Sequence, residues 1–341
     1  MLTLKNISIL VFLFIFNLNF SQSISGVVLD GVTEEPLEGA SVFFDKTSIG
    51  TTTNAQGEFT IGYKPNLQTP LIISFIGYQT SISNKSFFES RSKFYLYESS
   101  IVLNEITVDP YDNWSKELKL TEFKKHFLGE TSNGRSCKIL NEEDIILKYN
   151  KNLKKLTAKA KGPIYIKNEN LKYLISVELQ HFEVNYSHVS KNKKHLNLNY
   201  VYYAGINYFQ SLQKEPSSII QNIRKTTYLG SSLHFMRALA NKQLEKEGFS
   251  IFVNNNKVDP KKYISIFPFG NQQSVKVNLK QKLFIEYKNG KESSIESLVK
   301  MFYIDNFGNY SPVEKVRFGG EMGRQRMGET LPLDFILETK K

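Results

Sequence analysis

Residues able to do chemistry are sparse and widely spaced in this 341-residue chain. His234 and Arg237 stand three apart, so they share one face of a helix. There an imidazole and a guanidinium could hold an anion, or Arg237 could pair with Glu245 or a neighbouring strand. Arg324 and Arg326 lie in the run Gly319-Gly320-Glu321-Met322-Gly323-Arg324-Gln325-Arg326-Met327-Gly328. Its glycines and cations would suit a phosphate, but it lacks the Lys-Ser/Thr ending of a P-loop, and it reads as a flexible, surface-docked segment. His234, Arg237, Arg324 and Arg326 form the candidate ligand-binding set.

The other arrangements carry less. His181, His188 and His195 are seven apart, and an odd spacing puts successive residues on opposite faces of a continuous strand. Without HExxH or a carboxylate pattern, no metal is expected. Cys137 with His126 could make a nucleophile and base, yet a free cysteine is most often a small buried hydrophobe. Ser231 has no GxSxG context, and a helix cap accounts better for Gly230-Ser231-Ser232. Glu142, Glu143 and Asp144 are adjacent, which is rare for a working carboxylate pair, and they read as a helix start. Lys148 to Lys172 reads as a basic strand face. No catalytic residue and no cofactor are expected.

The elements that would position these groups are mostly strands. Tyr (18) and Phe (25) greatly outnumber Trp (1), and both favour strands. Leu174 to Tyr186 alternates, and Leu196 to Tyr208 continues the strand signal. Asn289-Gly290 marks a hairpin between Leu283–Tyr287 and Ser293–Tyr303. Asn306 to Asn309 makes another turn. Trp114 to Phe127 has helical spacing and is closed by Gly129. A central helical insert is predicted: one helix capped by Ser217 or Ser218 through about Thr227, another capped by Ser231 or Ser232 from Leu233 to Glu247. Asp109-Pro110 opens this unit, since the residue before proline is pushed out of the helical region.

Upstream, short strands alternate with turns at about ten-residue spacing, the pattern of a small sandwich or barrel. Val27 and Leu29 share one face, Val42 and Phe44 another, and Phe59 and Ile61 begin a return strand after the turn Thr53 to Gly57. Gly26-Val27-Val28, Pro36-Leu37, Gly39-Ala40-Ser41-Val42, Gly50-Thr51-Thr52-Thr53-Asn54, Gly57-Glu58-Phe59 and Phe75-Ile76-Gly77-Tyr78 together resemble the carboxypeptidase-like regulatory domain. The resemblance covers about 80 residues. It implies a seven-stranded transthyretin-like β-sandwich and a non-catalytic module. The same module opens plug-and-barrel receptors of Gram-negative outer membranes, and Ile101 to Val108 looks like the segment that follows it there. The remaining length falls short of a plug and a barrel of ~22 strands, so that segment is read as a last strand and linker. Tyr228 to Arg237, Glu247-Gly248-Phe249 and Arg326 to Asp334 look like a block in uncharacterised exported proteins that carry the same domain.

Residues 1–22 combine Lys5, the apolar run Ile7 to Phe16 and small or polar residues near Ser21, as a cleavable signal peptide does. The run is too short for a membrane-spanning helix, which needs about 20 apolar residues. Export is therefore expected, to the periplasm or the outer membrane. A single cysteine excludes an intramolecular disulfide. The net charge of +11 reads first as a basic solvated surface, and it also admits an acidic partner, an anionic glycan or a lipid headgroup. Nucleic acid is disfavoured, because no recognition motif accompanies the charge.

The expected fold is mainly β, with a signal peptide at 1–22, a regulatory-type sandwich at 23–108 and a larger α+β domain at 109–341. The expected function is a non-catalytic envelope protein that docks a partner or an anionic ligand. The alternatives are a hydrolase site in the second domain and a small outer-membrane barrel. Against the barrel stand runs mostly shorter than about ten residues, the charged helical insert, and a C-terminal Glu338-Thr339-Lys340-Lys341 in place of an aromatic strand.

Overall fold

The computed structural model describes residues 23–64, 67–83, 92–99, 112–270, 274–288 and 290–337. The signal peptide, the segment Ile101 to Val108, the Asp109-Pro110 boundary, Asn289 and Glu338 to Lys341 lie outside the described residues.

The N-terminal unit contains β1 (Ser23–Asp30), β2 (Ser41–Phe44), β3 (Gly50–Thr52), β4 (Glu58–Gly62), β5 (Leu71–Ser74), β6 (Ser81–Ser83) and β7 (Ser92–Leu96). They form two sheets, β4-β1-β7 and β3-β2-β5-β6, which make the expected seven-stranded sandwich. Alternation drives it: Phe59 and Ile61 point inward with Val28, Phe44 and Ile73, all nearly inaccessible. The β1–β7 pair is parallel and the others are antiparallel. The turn into β4 depends on Asn54, whose Oδ1 accepts the Gln56 and Glu58 N–H groups at 3.0 and 2.8 Å. It also depends on Gly57, where φ is +70° and a Cβ would lie 2.5 Å from the Val28 carbonyl oxygen.

The second unit opens with α1 (Lys116–Leu128) and α2 (Ser132–Arg135). Ser115 caps α1, so Trp114 lies outside the helix and stacks on Tyr149 at 4.0 Å between ring centroids. There follow β8 (Cys137–Ile139), β9 (Ile145–Asn150), β10 (Lys155–Ala160), β11 (Ile164–Asn168) and the long hairpin β12 (Tyr173–Val189) and β13 (Leu196–Ser211). Glu142–Asp144 is a single 3-10 turn before β9. The sheet order is β8-β11-β12-β10-β9, and β13 pairs with β12 over its whole length. β11 and β10 therefore share one side of β12, and β13 is an edge. Phe123 and Phe127 of α1 pack on Phe182 of β12.

The insert is α3 (Ser218–Tyr228), capped by Ser217, and α4 (Ser232–Ala240), capped by Ser231. The sequence pattern extended the second helix to Glu247. It stops at Ala240, because Lys242 takes a left-handed conformation with φ +56°. The chain continues through β14 (Phe249–Val253), β15 (Asn256–Val258), β16 (Ile264–Phe269), β17 (Ser274–Leu279), β18 (Leu283–Tyr287), β19 (Lys291–Ser297), β20 (Phe302–Asp305), β21 (Tyr310–Ser311), β22 (Val316–Gly319) and α5 (Gly320–Arg324). The strand read over Ser293–Tyr303 divides, for β19 and β20 belong to different sheets, β15-β14-β18-β19-β22 and β16-β17-β20-β21. Both sheets close on one core with α4. None of the sheets among the described residues closes on itself. The fold is thus a β-sandwich followed by an α+β domain. The segment read as flexible, Gly319 to Gly328, is instead anchored by buried Met322 and Met327.

The two units share a hydrogen-bonded seam. Lys46 N–H donates to the Asn207 carbonyl at 2.7 Å, and Phe209 N–H donates to the Thr47 carbonyl at 3.0 Å. The Asp45–Ser48 loop of the sandwich thereby extends the edge of β13. Its other side is held by the C-terminal segment: Leu333 N–H reaches the Lys46 carbonyl at 2.7 Å, and Asp334 accepts from Ser48 N–H at 2.7 Å. Phe43 stacks on Tyr208 at 4.9 Å beside buried Ile72 and Ile206.

Candidate functional site: a crevice between the two units

Along this seam runs a crevice of about 730 Å³. Its floor is β13 from Tyr202 to Asn207. One wall is the sandwich, with Asp45, Lys46, Ile72 and Ile82; the other comes from Tyr310, Val313, Phe318 and the segment Met322 to Leu333. The size falls in the ~300–1,000 Å³ range of small-ligand sites.

Many of its polar groups are neutral or already engaged, while Lys46 and Glu314 bring one charge of each sign to the lining. Tyr203 and Tyr310 are both pushed up by burial, Tyr310 to about 12, with Tyr203 adding to its shift. Both remain protonated phenols at neutral pH. Burial raises the Asp45 carboxyl, against the opposing pull of Lys46 and of the Asn207 N–H that it accepts at 2.8 Å. The Ser231 hydroxyl accepts the His234 N–H, and the Ser232 hydroxyl lies 3.0 Å from Gln325 Oε1. Neither serine contacts a histidine ring nitrogen, so neither has the partner that would activate it. The crevice offers a slot of mixed apolar and polar lining with two phenols, a surface suited to binding.

The residues singled out from sequence sit around this crevice and mostly serve the fold. His234 is 2% exposed. Its Nδ1 accepts the Gly230 N–H at 3.1 Å, which places the proton on Nε2, facing Glu247 at 3.1 Å. The rings of Tyr228, Phe249 and Tyr287 enclose it. Arg237 donates to three carbonyls, those of Phe307, Phe335 and Leu333, at 2.8–2.9 Å. It does not bond to Glu245. Arg324 is exposed and pairs with Glu321. Arg326 is half-buried and donates to the Gly323 and Gln325 carbonyls at 2.8 Å. Its guanidinium pKa is lowered by burial, with Tyr203 acting the other way. Glu247 thus meets His234 of α4, which aromatic rings enclose, Arg237 of the same helix is spent on carbonyls, and none of the three lines the crevice.

Cys137 is half-buried, and burial raises its thiol to about 12, so the thiolate is scarce at neutral pH. His126 is engaged elsewhere, 3.2 Å from Glu122, which also accepts the Tyr186 hydroxyl at 2.7 Å. His181 pairs with Glu183, and His188 and His195 are exposed. No cluster of three metal-ligating side chains occurs among the described residues. Sequence reasoning missed the crevice residues Asp45, Asn207, Tyr203 and Tyr310, which meet only through folding. One signal was available: Leu196 to Ser211 contains no charged residue.

His234 also makes stability depend on pH. Burial depresses its pKa; the Glu247 hydrogen bond and charge oppose this, while Arg237 and Lys288 reinforce it. The unfolded imidazole binds a proton from about pH 6.5 downward. The folded protein resists that proton, so this contribution is full above pH 6.5 and falls as pH drops towards the folded value. Melting temperatures between pH 5 and 8 are expected to fall more steeply on the acid side for the native chain than for His234→Asn. Equal slopes would remove His234 as the cause.

Residues 24–108 match the family model of the CarboxypepD_reg-like domain. The N-terminal sandwich is therefore a domain of that kind. No curated protein matches the chain.

Proposed function

We propose that this protein is a non-catalytic docking module of the cell envelope, which holds a partner protein in the crevice between its sandwich and its α+β domain. One observation carries the reading: the regulatory-type sandwich is bonded to the second domain along a continuous seam, and the crevice is built from both. A mobile spacer would not supply one wall of a site. The signal-peptide pattern at the N-terminus supports export to the periplasm or the outer membrane. The excess of positive charge supports an acidic partner surface. The hairpin tip concentrates it, with Lys191, Lys193 and Lys194 beside the start of β13.

The test combines address and contact. A photo-crosslinking residue is placed at Val313, which is 44% exposed and lines the crevice, and a second is placed at Val32, 81% exposed on the sandwich. In intact cells with membrane fractionation, the Val313 position is expected to give a discrete adduct with an envelope protein, and the Val32 position is not. A chain retained in the cytoplasm, or adducts independent of position, would overturn the reading.

A further inference from the structure

We infer that the outer edge of β13 in the crevice takes up an extended peptide of a partner as an added β-strand, uncharged along the groove and acidic where it leaves towards the hairpin tip. This rests on the docking reading above and specifies how the partner is held.

The edge faces the right way. Asn207 turns its N–H to Asp45 and its carbonyl to Lys46, and Phe209 turns its N–H to Thr47. Backbone groups alternate along a strand, and β13 runs without a skipped residue from Tyr200 to Ser211, the one register shift there, opposite Ala204 and Gly205, leaving out Gln180 of β12. Val201, Tyr203 and Gly205 therefore direct their N–H and carbonyl groups the same way, into and beyond the crevice. Among the described residues no strand pairs with β13 on that side beyond the Thr47 bridge. The bridge shows that this edge accepts main-chain hydrogen bonds, and an added strand would continue the row.

The composition of the edge supports an occupant. Exposed edges are usually guarded by lysine, proline or brevity. β13 has 16 residues with no charge and no proline, in a chain that is 23% charged. The part of this edge ahead of the Asp45–Ser48 loop, up to Ile206, is left unguarded, which suits strand addition, in which main-chain bonds give affinity and alternate side chains give specificity. A strand opposite Val201 to Gly205 would span about 13 Å at ~3.3 Å per residue. Its side chains would alternate between Ile82, 55% exposed, on one wall and the half-buried Phe318 on the other. Towards Leu196 it would emerge beside Lys191, Lys193 and Lys194, where acidic residues find complementary charge.

The experiment uses the chain without residues 1–22 and three end-capped, fluorescent probe peptides. The first alternates valine and threonine over six residues and ends in three aspartates. The second carries proline at alternate core positions, and the third ends in three lysines. Anisotropy is expected to show saturable binding of the first, at least tenfold weaker binding of the proline peptide, and weaker binding of the lysine peptide with a gap that narrows in high salt. Amides of Val201, Tyr203 and Gly205 are expected to exchange rapidly in the free protein and slow with the first peptide. Tyr202→Glu, at a position 38% exposed, is expected to weaken binding at least tenfold while its melting temperature stays near that of the native chain.

Equal binding of the proline peptide, no binding of any probe, or undiminished affinity in Tyr202→Glu would overturn strand addition. So would edge amides already protected in the free monomer, which would assign the edge to a segment of the chain itself, or protected only in a dimer, which would assign it to a second copy. If these probes fail while the Val313 adduct persists in cells, strand addition falls and the docking reading stands.

Discussion

Arg237→Ala is expected to lower stability by about 3 kcal/mol, at roughly 1 kcal/mol for each carbonyl left without its donor. The guanidinium ties three separate pieces together: α4, the turn at Phe307, and the C-terminal segment at Leu333 and Phe335. Leu333 in turn donates to Lys46, and Lys46 donates to Asn207. One side chain therefore supports a chain of contacts that runs from the helix to the crevice floor. Lysine is not an equivalent, because an ammonium cannot reach three carbonyls in the fork geometry of a guanidinium. Arg237→Lys is expected to recover about 1 kcal/mol of the loss by the same per-bond figure. Urea unfolding would measure both. A midpoint shift below 0.5 kcal/mol, taken as about half of one hydrogen bond, would mean that water replaces the guanidinium without cost. Faster amide exchange around Leu333 in the alanine variant would locate the damage.

Phe127→Ala is expected to cost about 3–5 kcal/mol, the range for removing a buried phenylalanine. Phe127 is fully buried and meets three rings, Phe123 at 4.9 Å, Phe182 at 6.0 Å and Tyr203 at 5.5 Å. Its loss leaves a cavity between α1 and the sheet that the remaining rings cannot fill. Because Tyr203 rests on it and lines the crevice, the variant is also expected to loosen the crevice floor. Phe127→Leu keeps most of the volume and should lose less. Calorimetric melting of both variants separates the two contributions. Equal losses would show that aromatic contact, rather than volume, carries the energy.

The seven-stranded sandwich was legible in the residues themselves, because its determinants are local. Period-two alternation in β1 and β4, the Asn54 and Gly57 turn, and the glycine positions each act within a few residues. The serine caps of α3 and α4 were legible for the same reason, since a hydroxyl three residues ahead of an N–H settles a helix start. Helix ends and strand breaks were not. Lys242 turns left-handed to end α4, and the chain passes from one sheet to another between Ser297 and Phe302. Both follow from how separate layers meet, and side-chain pattern records layers only within one element.

The candidate site divides in the same way. Sequence spacing placed His234 and Arg237 on one helical face, and they do lie there. Whether that face looked into solvent, a pocket or a core depended on partners far along the chain. Glu247, Phe307 and Leu333 reach the helix only after folding, and they engage both side chains. The charge-free run of β13 was visible as composition, but its meaning as an edge required the sheet order. The local code set which segments are strands and where helices begin. Long-range packing decided which strand edge was left open, which cations were consumed as ties, and where a crevice remained, because burial and hydrogen-bond satisfaction are settled by the whole chain at once.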